Sequence, residues 1–193
     1  MSYLVVAAFA YLAGSIPFGI VMAWLFGLGD LRKIGSGNIG STNVLRTGNK
    51  LAAFLTLVLD AGKGAGAVLV ARAYVGEDGA GLAGLCAMLG HLYPIFVRFK
   101  GGKGVATFLG VILALSFPVG LAACATWLAS ALAFRYSSLA ALVAAALAPV
   151  YTFFMYDRQG AVLVALMSAL VFYRHGANLR RLLDGSEPRI GKK

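Results

Sequence analysis

The long uncharged run at residues 105–134 constrains the fold more than any other feature of the chain. It contains no Asp, Glu, Lys or Arg over 30 positions. One straight helix of that length would measure about 45 Å, whereas the hydrocarbon core of a bilayer is about 30 Å thick. Ser116, Phe117 and Pro118 lie near the middle of the run, and proline interrupts a helix. We therefore predict two shorter membrane helices that fold back on each other at this point.

The composition supports an integral membrane protein. Hydrophobic residues make up 60% of the chain and charged residues 12%, about half the charged share of a soluble domain. The net charge of +10 is typical of nucleic-acid binding, but the basic residues lie in short loops between apolar runs. This pattern excludes a nucleic-acid partner and indicates a protein embedded in the lipid bilayer. The length of the chain, residues 1–193, is that of one domain.

Five further apolar runs are predicted to span the membrane: 3–28, 51–75, 80–97, 139–156 and 159–173. The first basic residue is Arg32, so the N-terminal run lacks the basic region of a signal peptide and is predicted to be a span. Pro17 should kink this span. The second and third spans are separated by a short acidic turn at residues 76–79.

Basic residues cluster on loops that would share one side of the membrane. Loops 29–50, 98–103 and 135–138 and the tail from residue 174 hold fourteen of the seventeen lysines and arginines, and the positive-inside rule places such loops in the cytoplasm. Loops 98–103 and 135–138 then lie on the same side, so the run at 105–134 between them must cross the membrane an even number of times. This predicts seven crossings, with the N-terminus outside and the C-terminus in the cytoplasm. The alternative is five crossings with 105–134 as a re-entrant hairpin.

The loop at residues 35–46 is the first candidate site. Its glycines at 35, 37 and 40 match G-x-G-x-x-G, but they follow a membrane span and not a strand, so we reject a dinucleotide fold. The glycines still allow close approach of the backbone to an anion. Short polar side chains add hydrogen-bonding groups, and Arg46 can bind a phosphate in a bidentate manner. The alternative is a loop whose Ser and Asn residues cap helices.

Residues 100–107, Lys-Gly-Gly-Lys-Gly-Val-Ala-Thr, are the second candidate site. Glycines let successive N–H groups point towards one ligand, and the helix predicted to follow would add its positive N-terminal end. Lys100 and Lys103 supply mobile positive charge. The stretch therefore predicts a phosphate site, and the alternative is a basic loop at the membrane edge.

Ionisable side chains inside two predicted spans have structural and functional interpretations. His91 lies within the third span, and we predict a supporting role in the protein interior. Asp60 and Lys63 lie three residues apart in the second span. They form either a self-neutralising buried ion pair or a pair whose lysine faces the site.

Two further polar clusters lie on the predicted cytoplasmic side. Ser137 and Ser138 follow Arg135, and serines at a helix start are usually caps, although they could bind substrate. In the tail, His175 and Asn178 share one face of a helix, and a histidine beside an amide can orient or deprotonate a hydroxyl. We expect the basic residues Arg180, Arg181, Lys192 and Lys193 to anchor the tail at the membrane surface.

Several kinds of active site are absent from the sequence. No cluster has metal-ligand spacing, so we expect no metal and no cofactor. The two cysteines, at positions 86 and 124, lie in apolar runs. An H-x-x-x-x-D acyltransferase motif is excluded, because Phe96 and Arg180 stand where aspartate would follow His91 and His175.

The chain closely resembles the bacterial membrane glycerol-3-phosphate acyltransferases that use acyl phosphate. The resemblance rests on three motifs, G-S-G-N-I-G-S-T-N-V-L-R at 35–46, G-H-L-Y-P-I-F-V-R-F-K-G-G-K-G-V-A-T at 90–107 and H-G-A-N-L-R-R-L-L-D-G-S-E at 175–187. Residues 60–64 and 136–138 are also similar to that family. Because the motifs occur in order over nearly the whole chain, their combination is specific.

The resemblance implies a reaction and a location. Acyl phosphate and sn-glycerol 3-phosphate would give 1-acyl-sn-glycerol 3-phosphate and phosphate, the first step of phospholipid synthesis. The protein would be a multi-pass protein of the bacterial inner membrane with its site on the cytoplasmic face. It could receive the acyl phosphate directly from the enzyme that makes it.

The resemblance also implies roles for particular residues. Ser36 and Arg46 would be essential, His175 and Asn178 would lie near the chemistry, and Glu187 would be structural. Gly101, Gly102 and Gly104 would form the glycerol 3-phosphate site. We assign Lys103 to catalysis with these residues, and the other residues assigned to substrate binding are Gly37, Asn38, Thr42, Asn43, Lys63, Lys100, Thr107, Ser137, Ser138 and Arg181.

Two aspects of the mechanism stay open at this stage. We favour direct attack by the glycerol hydroxyl, because acyl phosphate is already activated and its leaving group needs positive charge more than a proton. A covalent acyl-Ser36 is the alternative. The hydroxyl proton would go to His175 or to a substrate phosphate, whose second pKa is about 6.

A different class of function also fits part of the pattern. An organic-phosphate transporter would explain a cation-lined site between short, broken helices. Transporters, however, place their sites near the midplane and often consist of repeats. The polar motifs here fall on one predicted face, which favours the enzyme.

Overall fold

The computed structural model describes residues 2–191, which form helices and loops without a strand. Lys192 and Lys193, two of the expected membrane anchors, lie outside the described residues. The α-helices of residues 2–191 are α1 (Tyr3–Gly14), α2 (Phe18–Leu25), α3 (Ser41–Leu45), α4 (Lys50–Leu92), α5 (Val105–Leu115), α6 (Phe117–Phe134), α7 (Ser137–Met155), α8 (Arg158–Arg174) and α9 (Gly176–Leu183). The all-helical prediction is confirmed. The chain forms two compact units, residues 1–111 and 112–193.

The N-terminal apolar run of the first unit is broken into two helices at Pro17, where the sequence predicted a kink. Helix α1 ends at Gly14 and α2 begins at Phe18, because proline cannot donate the next helical hydrogen bond. Helix α1 packs closely on α4. A Cβ atom on Gly14 would collide with the main chain of Ala87, so the two backbones approach as only small residues allow.

Helix α4 consists of two arms that meet at Gly76. This residue has φ 79° and ψ −168°, a backbone conformation that favours glycine. The arms fold back on each other, since Gly84 lies against the side chain of Val68. The predicted reversal between the two spans is therefore confirmed at Gly76, whereas residues 77–79 are helical. The second arm ends at Leu92, earlier than the predicted span at 80–97, because Pro94 follows and residues 95–97 form a 3-10 turn.

The predicted break near Pro118 is also confirmed. Ser116 has φ −146° and ψ 107°, so α5 and α6 are separate helices. The proline lies in the first turn of α6, where its missing N–H has no helical partner. Helix α6 begins against the end of α5, since a Cβ atom on Gly120 would collide with the main chain of Leu113.

The second unit is built around α7, which packs against α6, α8 and α9. Small residues of α7, including Ala140, Ala144 and Ala148, are fully or almost fully buried. Asp157 begins α8 by accepting a 2.7 Å hydrogen bond from the N–H of Gly160. Helix α9 bends by 62° from α8 at His175, which places the polar tail beside the start of α7.

Four helical stretches of the described residues are long and apolar enough to cross a bilayer. They are Tyr3–Leu25, Lys50–Val97, Phe117–Phe134 and Ser137–Met155, and the bent pair α8 and α9 would be a fifth. The second stretch contains the reversal at Gly76, so it supplies two arms. These stretches agree with the expected class of integral membrane protein.

The contact between α1 and α4 generates a stability prediction. Gly14→Ala should lower the free energy of unfolding by about 1–3 kcal/mol, because the added methyl group must separate two packed backbones. Thermal unfolding of the purified protein in detergent measures the effect. Gly62→Ala is the matched control, since nothing lies within 4 Å of its Cβ position and alanine favours a helix by about 0.5–1 kcal/mol over glycine. An equal loss of stability in both variants would contradict the close packing.

Candidate active site

Asn43 organises the loop that joins α2 to α4. Its side chain is 2% exposed, and its Nδ2 donates a 2.8 Å hydrogen bond to the carbonyl of Leu31. Its Oδ1 accepts from the backbone N–H of Ser36 at 3.1 Å and from the Ser36 hydroxyl at 3.4 Å. Arg46 Nη1 lies 3.5 Å from the same oxygen. One amide oxygen thus holds together the serine and the arginine that the sequence predicts to be essential.

The glycine at position 35 allows this arrangement. Gly35 has φ 52°, and a Cβ atom there would collide with the side chains of Arg46 and Asn43. The loop therefore needs glycine both for its backbone angle and for space. Gly37 also has positive φ, 68°, and packs against the carbonyl of Arg32. Asn38 accepts a 3.0 Å hydrogen bond from the next N–H, so it stabilises the loop locally.

Arg32 connects this loop to the second motif. Its Nη2 donates to the carbonyl of Lys100 at 3.4 Å, across 68 positions of sequence. Its own loop is fixed by Asp30, which accepts from the Arg32 N–H at 3.0 Å. Sequence reasoning used Arg32 only for orientation, because a long-range contact to a main-chain carbonyl leaves no local signal.

The glycines of the second motif pack on the end of α4. The N–H of Gly102 donates to the carbonyl of His91 at 3.2 Å, so this N–H is used by the helix end. A Cβ atom on Gly101 would collide with the carbonyls of His91 and Leu92. Gly104 has φ 82° and accepts the first hydrogen bond of α5, from Phe108 at 2.7 Å.

Asp60 is the centre of a buried cluster in the first unit. Lys63 Nζ lies 2.7 Å from Asp60 Oδ1 and donates to the carbonyl of Ile16 at 2.8 Å. His91 Nδ1 lies 3.5 Å from the same carboxylate oxygen. The hydroxyl of Thr107 donates to the main-chain carbonyl of Asp60 at 2.9 Å. Lys63 and Thr107, both assigned to substrate binding, therefore contact this cluster.

Glu187 is the corresponding centre of the second unit. Its Oε1 accepts from the Ser138 hydroxyl and from Asn178 Nδ2, each at 2.6 Å, and its Oε2 accepts from Arg181 Nε at 2.7 Å. Ser138 thus bonds to a carboxylate and is not a helix cap. Burial alone would raise the pKa of Glu187. The donated hydrogen bonds outweigh burial and hold this pKa below its usual range.

The chain after Glu187 is attached to the start of α7. The N–H of Ile190 donates to the carbonyl of Arg135 at 2.7 Å, and Arg135 Nη2 donates back to the carbonyl of Ile190 at 3.1 Å. Arg189 Nε donates to the hydroxyl of Tyr136 at 3.0 Å. These bonds fix the segment that carries the buried glutamate.

His175 lies at the junction of α8 and α9 and is 2% exposed. Its Nδ1 lies 2.8 Å from the carbonyl of Val171. A carbonyl only accepts hydrogen bonds, so Nδ1 carries the proton, and in the neutral ring Nε2 is the basic nitrogen.

The structure brings the predicted residues together in two groups. Within the first unit, Asn43 gathers Ser36 and Arg46, and Arg32 links their loop to Lys100. Within the second unit, Glu187 gathers its three donors. Across residues 2–191, no three or more His, Cys, Asp and Glu side chains converge as metal ligands would.

Comparisons with known proteins agree on one family. Residues 4–185 match the family model described as glycerol-3-phosphate acyltransferase. The chain is 65% identical over 186 residues to the glycerol-3-phosphate acyltransferase of Jannaschia sp. strain CCS1, covering 96% of this chain and 92% of that one. It is 58% identical over 193 residues to the enzyme of the same name from Cereibacter sphaeroides strain ATCC 17025, covering 100% and 92%.

Solved structures are similar over almost the full length. The glycerol 3-phosphate form of PlsY, described as an integral membrane glycerol 3-phosphate acyltransferase, has a TM-score of 0.94 and 44% identity, covering 99% of this chain and 96% of that one. Its lysophosphatidic acid form has a TM-score of 0.92 and 43% identity, with the same coverage.

The lowered pKa of Glu187 generates a prediction about acid stability. Because the folded-state pKa is below the unfolded value, the ionised group stabilises the protein above the ordinary glutamate range, near 4.3. This contribution is lost as pH falls through the folded-state pKa. Glu187→Gln should lower the free energy of unfolding at neutral pH by about 1–3 kcal/mol, because an amide donor then faces other donors.

Thermal unfolding from neutral to acidic pH tests this prediction. The difference between wild type and Glu187→Gln should shrink as the pH falls through the folded-state pKa. Glu77→Gln is the control, because it removes an ion pair to Arg72 whose glutamate side chain is 59% exposed and should change stability by at most about 1 kcal/mol. A difference between wild type and Glu187→Gln that does not depend on pH would refute the role of the ionised carboxylate.

Proposed function

The chain belongs to the glycerol-3-phosphate acyltransferase family, and we propose that it transfers an acyl group from acyl phosphate to the 1-hydroxyl of sn-glycerol 3-phosphate. The products are 1-acyl-sn-glycerol 3-phosphate and phosphate. This is the first acylation of phospholipid synthesis. Membership of this family favours the enzyme over an organic-phosphate transporter.

The junction at Asn43 is the observation that best supports this proposal. Both substrates carry a phosphate, and this junction places Arg46 beside Ser36 on a neutral amide oxygen. A neutral amide oxygen orients the guanidinium but leaves its positive charge available for an anion. Lys100 and Lys103 lie in the glycine-rich loop to which Arg32 bonds. The arrangement therefore suits two phosphate groups better than a neutral substrate.

The chemistry we propose is direct acyl transfer. The glycerol hydroxyl oxygen bonds to the acyl carbonyl carbon, the bond from that carbon to the phosphate oxygen breaks, and inorganic phosphate leaves with the bonding electrons. Arg46 stabilises the charge on the leaving phosphate, as a preorganised cation does in a site of low dielectric, and Lys103 binds the phosphate of glycerol 3-phosphate beside the glycines of its loop. Ser36 donates a hydrogen bond and forms no covalent intermediate.

We propose His175 as the acceptor of the hydroxyl proton. The hydrogen bond from Nδ1 to Val171 supports Nε2 of His175 as that acceptor, and a substrate phosphate is the alternative. Asn178 donates to Glu187 through its amide nitrogen, and this bond fixes the orientation of the Asn178 side chain. Glu187 acts on the reaction only through Asn178.

We also propose the topology and setting of the enzyme. The basic loops support seven crossings with the N-terminus outside and the C-terminus in the cytoplasm of a bacterial inner membrane. The phosphate site would then face the cytoplasm. Glycerol 3-phosphate is dissolved there, and the phosphate of a membrane-bound acyl phosphate would reach the same aqueous side. Since acyl phosphate is a reactive mixed anhydride, direct hand-over from the enzyme that makes it would protect it from hydrolysis.

The proposed reaction is tested with the purified protein in a lipid mesophase that contains acyl phosphate and glycerol 3-phosphate. We expect phosphate release that requires glycerol 3-phosphate and is matched by lysophosphatidate. Arg46→Lys should lower kcat/KM about a hundredfold, because lysine cannot bind phosphate in a bidentate manner. Arg72→Lys, on the predicted outer face, is the matched control and should keep full activity.

Two results would contradict the proposed function. Folded wild-type protein that releases no phosphate with both substrates present would exclude the transferase, and uptake of organic phosphate into vesicles would then be measured. Equal activity with acyl-CoA would contradict the assignment of acyl phosphate as the specific acyl donor.

A further inference from the structure

His91 lies between a buried carboxylate and the glycine-rich loop. It is in the last turn of α4 and is 6% exposed. Its Nδ1 faces Asp60 Oδ1 at 3.5 Å. On the opposite edge of the ring, Nε2 faces Gly102, where a Cβ atom would collide with the imidazole. The ring therefore fills the space between an ionised group in the helix hairpin and the main chain of the loop.

The main chain of His91 contacts the same loop. Its carbonyl accepts the N–H of Gly102 at 3.2 Å, so the peptide between Gly101 and Gly102 has a fixed orientation. Carbonyls in the last turn of a helix lack partners within the helix, and this bond satisfies one of them. Lys103, the cation assigned to the substrate phosphate, is the next residue along the chain.

The other side of the ring faces a network of polar contacts. Asp60 is held by Lys63 at 2.7 Å, and Lys63 in turn bonds to the Ile16 carbonyl at the break before α2. Thr107 attaches α5 to the backbone of Asp60. The carboxylate that faces His91 therefore belongs to a residue that is linked to the break before α2, to α5 and to the first arm of α4.

We propose that His91 is a positioning residue for the phosphate-binding loop in the proposed reaction. The Asp60 carboxylate sets the orientation of the imidazole. The opposite ring edge supports the main chain of Gly102 in the position that places Lys103 against the substrate phosphate. His91 itself does not touch substrate. The inference rests on the proposed function and extends it to a residue outside the phosphate-binding loop.

Two substitutions separate this role from simple stabilisation of Asp60. The amide nitrogen of Asn lies near the position of Nδ1, so His91→Asn can still donate to Asp60 but leaves a gap beneath Gly102. The longer side chain of Gln reaches the position of Nε2, so His91→Gln fills that gap but loses the donor to Asp60. The two variants therefore remove opposite contacts of the same ring.

Steady-state kinetics and thermal unfolding are measured for both variants. We expect His91→Asn to raise KM for glycerol 3-phosphate about tenfold with kcat changed less than about threefold, the pattern of lost binding without lost chemistry. His91→Gln should keep KM within about threefold of wild type although its Tm is lower than that of His91→Asn. If KM instead follows stability, so that the Gln variant binds glycerol 3-phosphate worse than the Asn variant, the proposal is wrong.

A steric cycle provides a second test that does not depend on these variants. Gly102→Ala directs a methyl group at the imidazole and should raise KM, whereas Gly102→Ala combined with His91→Ala has space for that methyl group. If the two residues acted independently, the fold-increases in KM of the two single variants would multiply. The double variant should instead have a KM lower than that product. A KM equal to that product would overturn the proposal. Wild-type enzyme assayed in parallel separates these outcomes from a failure of the proposed reaction, which would abolish activity in every sample.

Discussion

The first unit depends on the carboxylate of Asp60, which is 3% exposed within the helix hairpin of α4. A charge in such a place is tolerated only when it is paired. Lys63 supplies the opposite charge and also satisfies the Ile16 carbonyl beside the break at Pro17. His91 and Thr107 attach two further elements to the same residue. Through its side chain and its main-chain carbonyl, one buried residue therefore connects the broken first helix, both arms of α4 and the start of α5.

The same principle recurs at the other polar centres of the molecule. The chain has 17 basic and only 7 acidic residues, so acceptors are scarce. Asn43 gathers the donors of Ser36 and Arg46, and Glu187 gathers three donors in the second unit. Each acceptor orients several donors at once, so side chains are placed before substrate arrives. Such preorganisation suits a reaction whose main requirement is stabilisation of a leaving phosphate.

The sequence predicted the features that depend on local chemistry. The breaks at Pro17, at residues 76–79 and near Pro118 follow from proline, glycine and charge placed within apolar runs. The phosphate sites expected at the glycine-rich motifs stay a prediction. Long-range contacts were not predictable. Lys63 could have faced either the site or Asp60, and only the fold brings the Ile16 carbonyl to it. Arg32 was missed, because its partner is a main-chain carbonyl 68 positions away.

The central claim is that the buried pair of Asp60 and Lys63 holds the first unit together, and a double-mutant cycle on thermal stability tests it most directly. Asp60→Asn and Lys63→Met should each lower stability strongly, because each leaves one charge buried without its partner. The double variant should recover most of that loss, since it buries no charge and methionine retains the packing of the lysine stem. A double variant whose loss equals the sum of the two single losses would contradict the claim, because the two residues would then act independently.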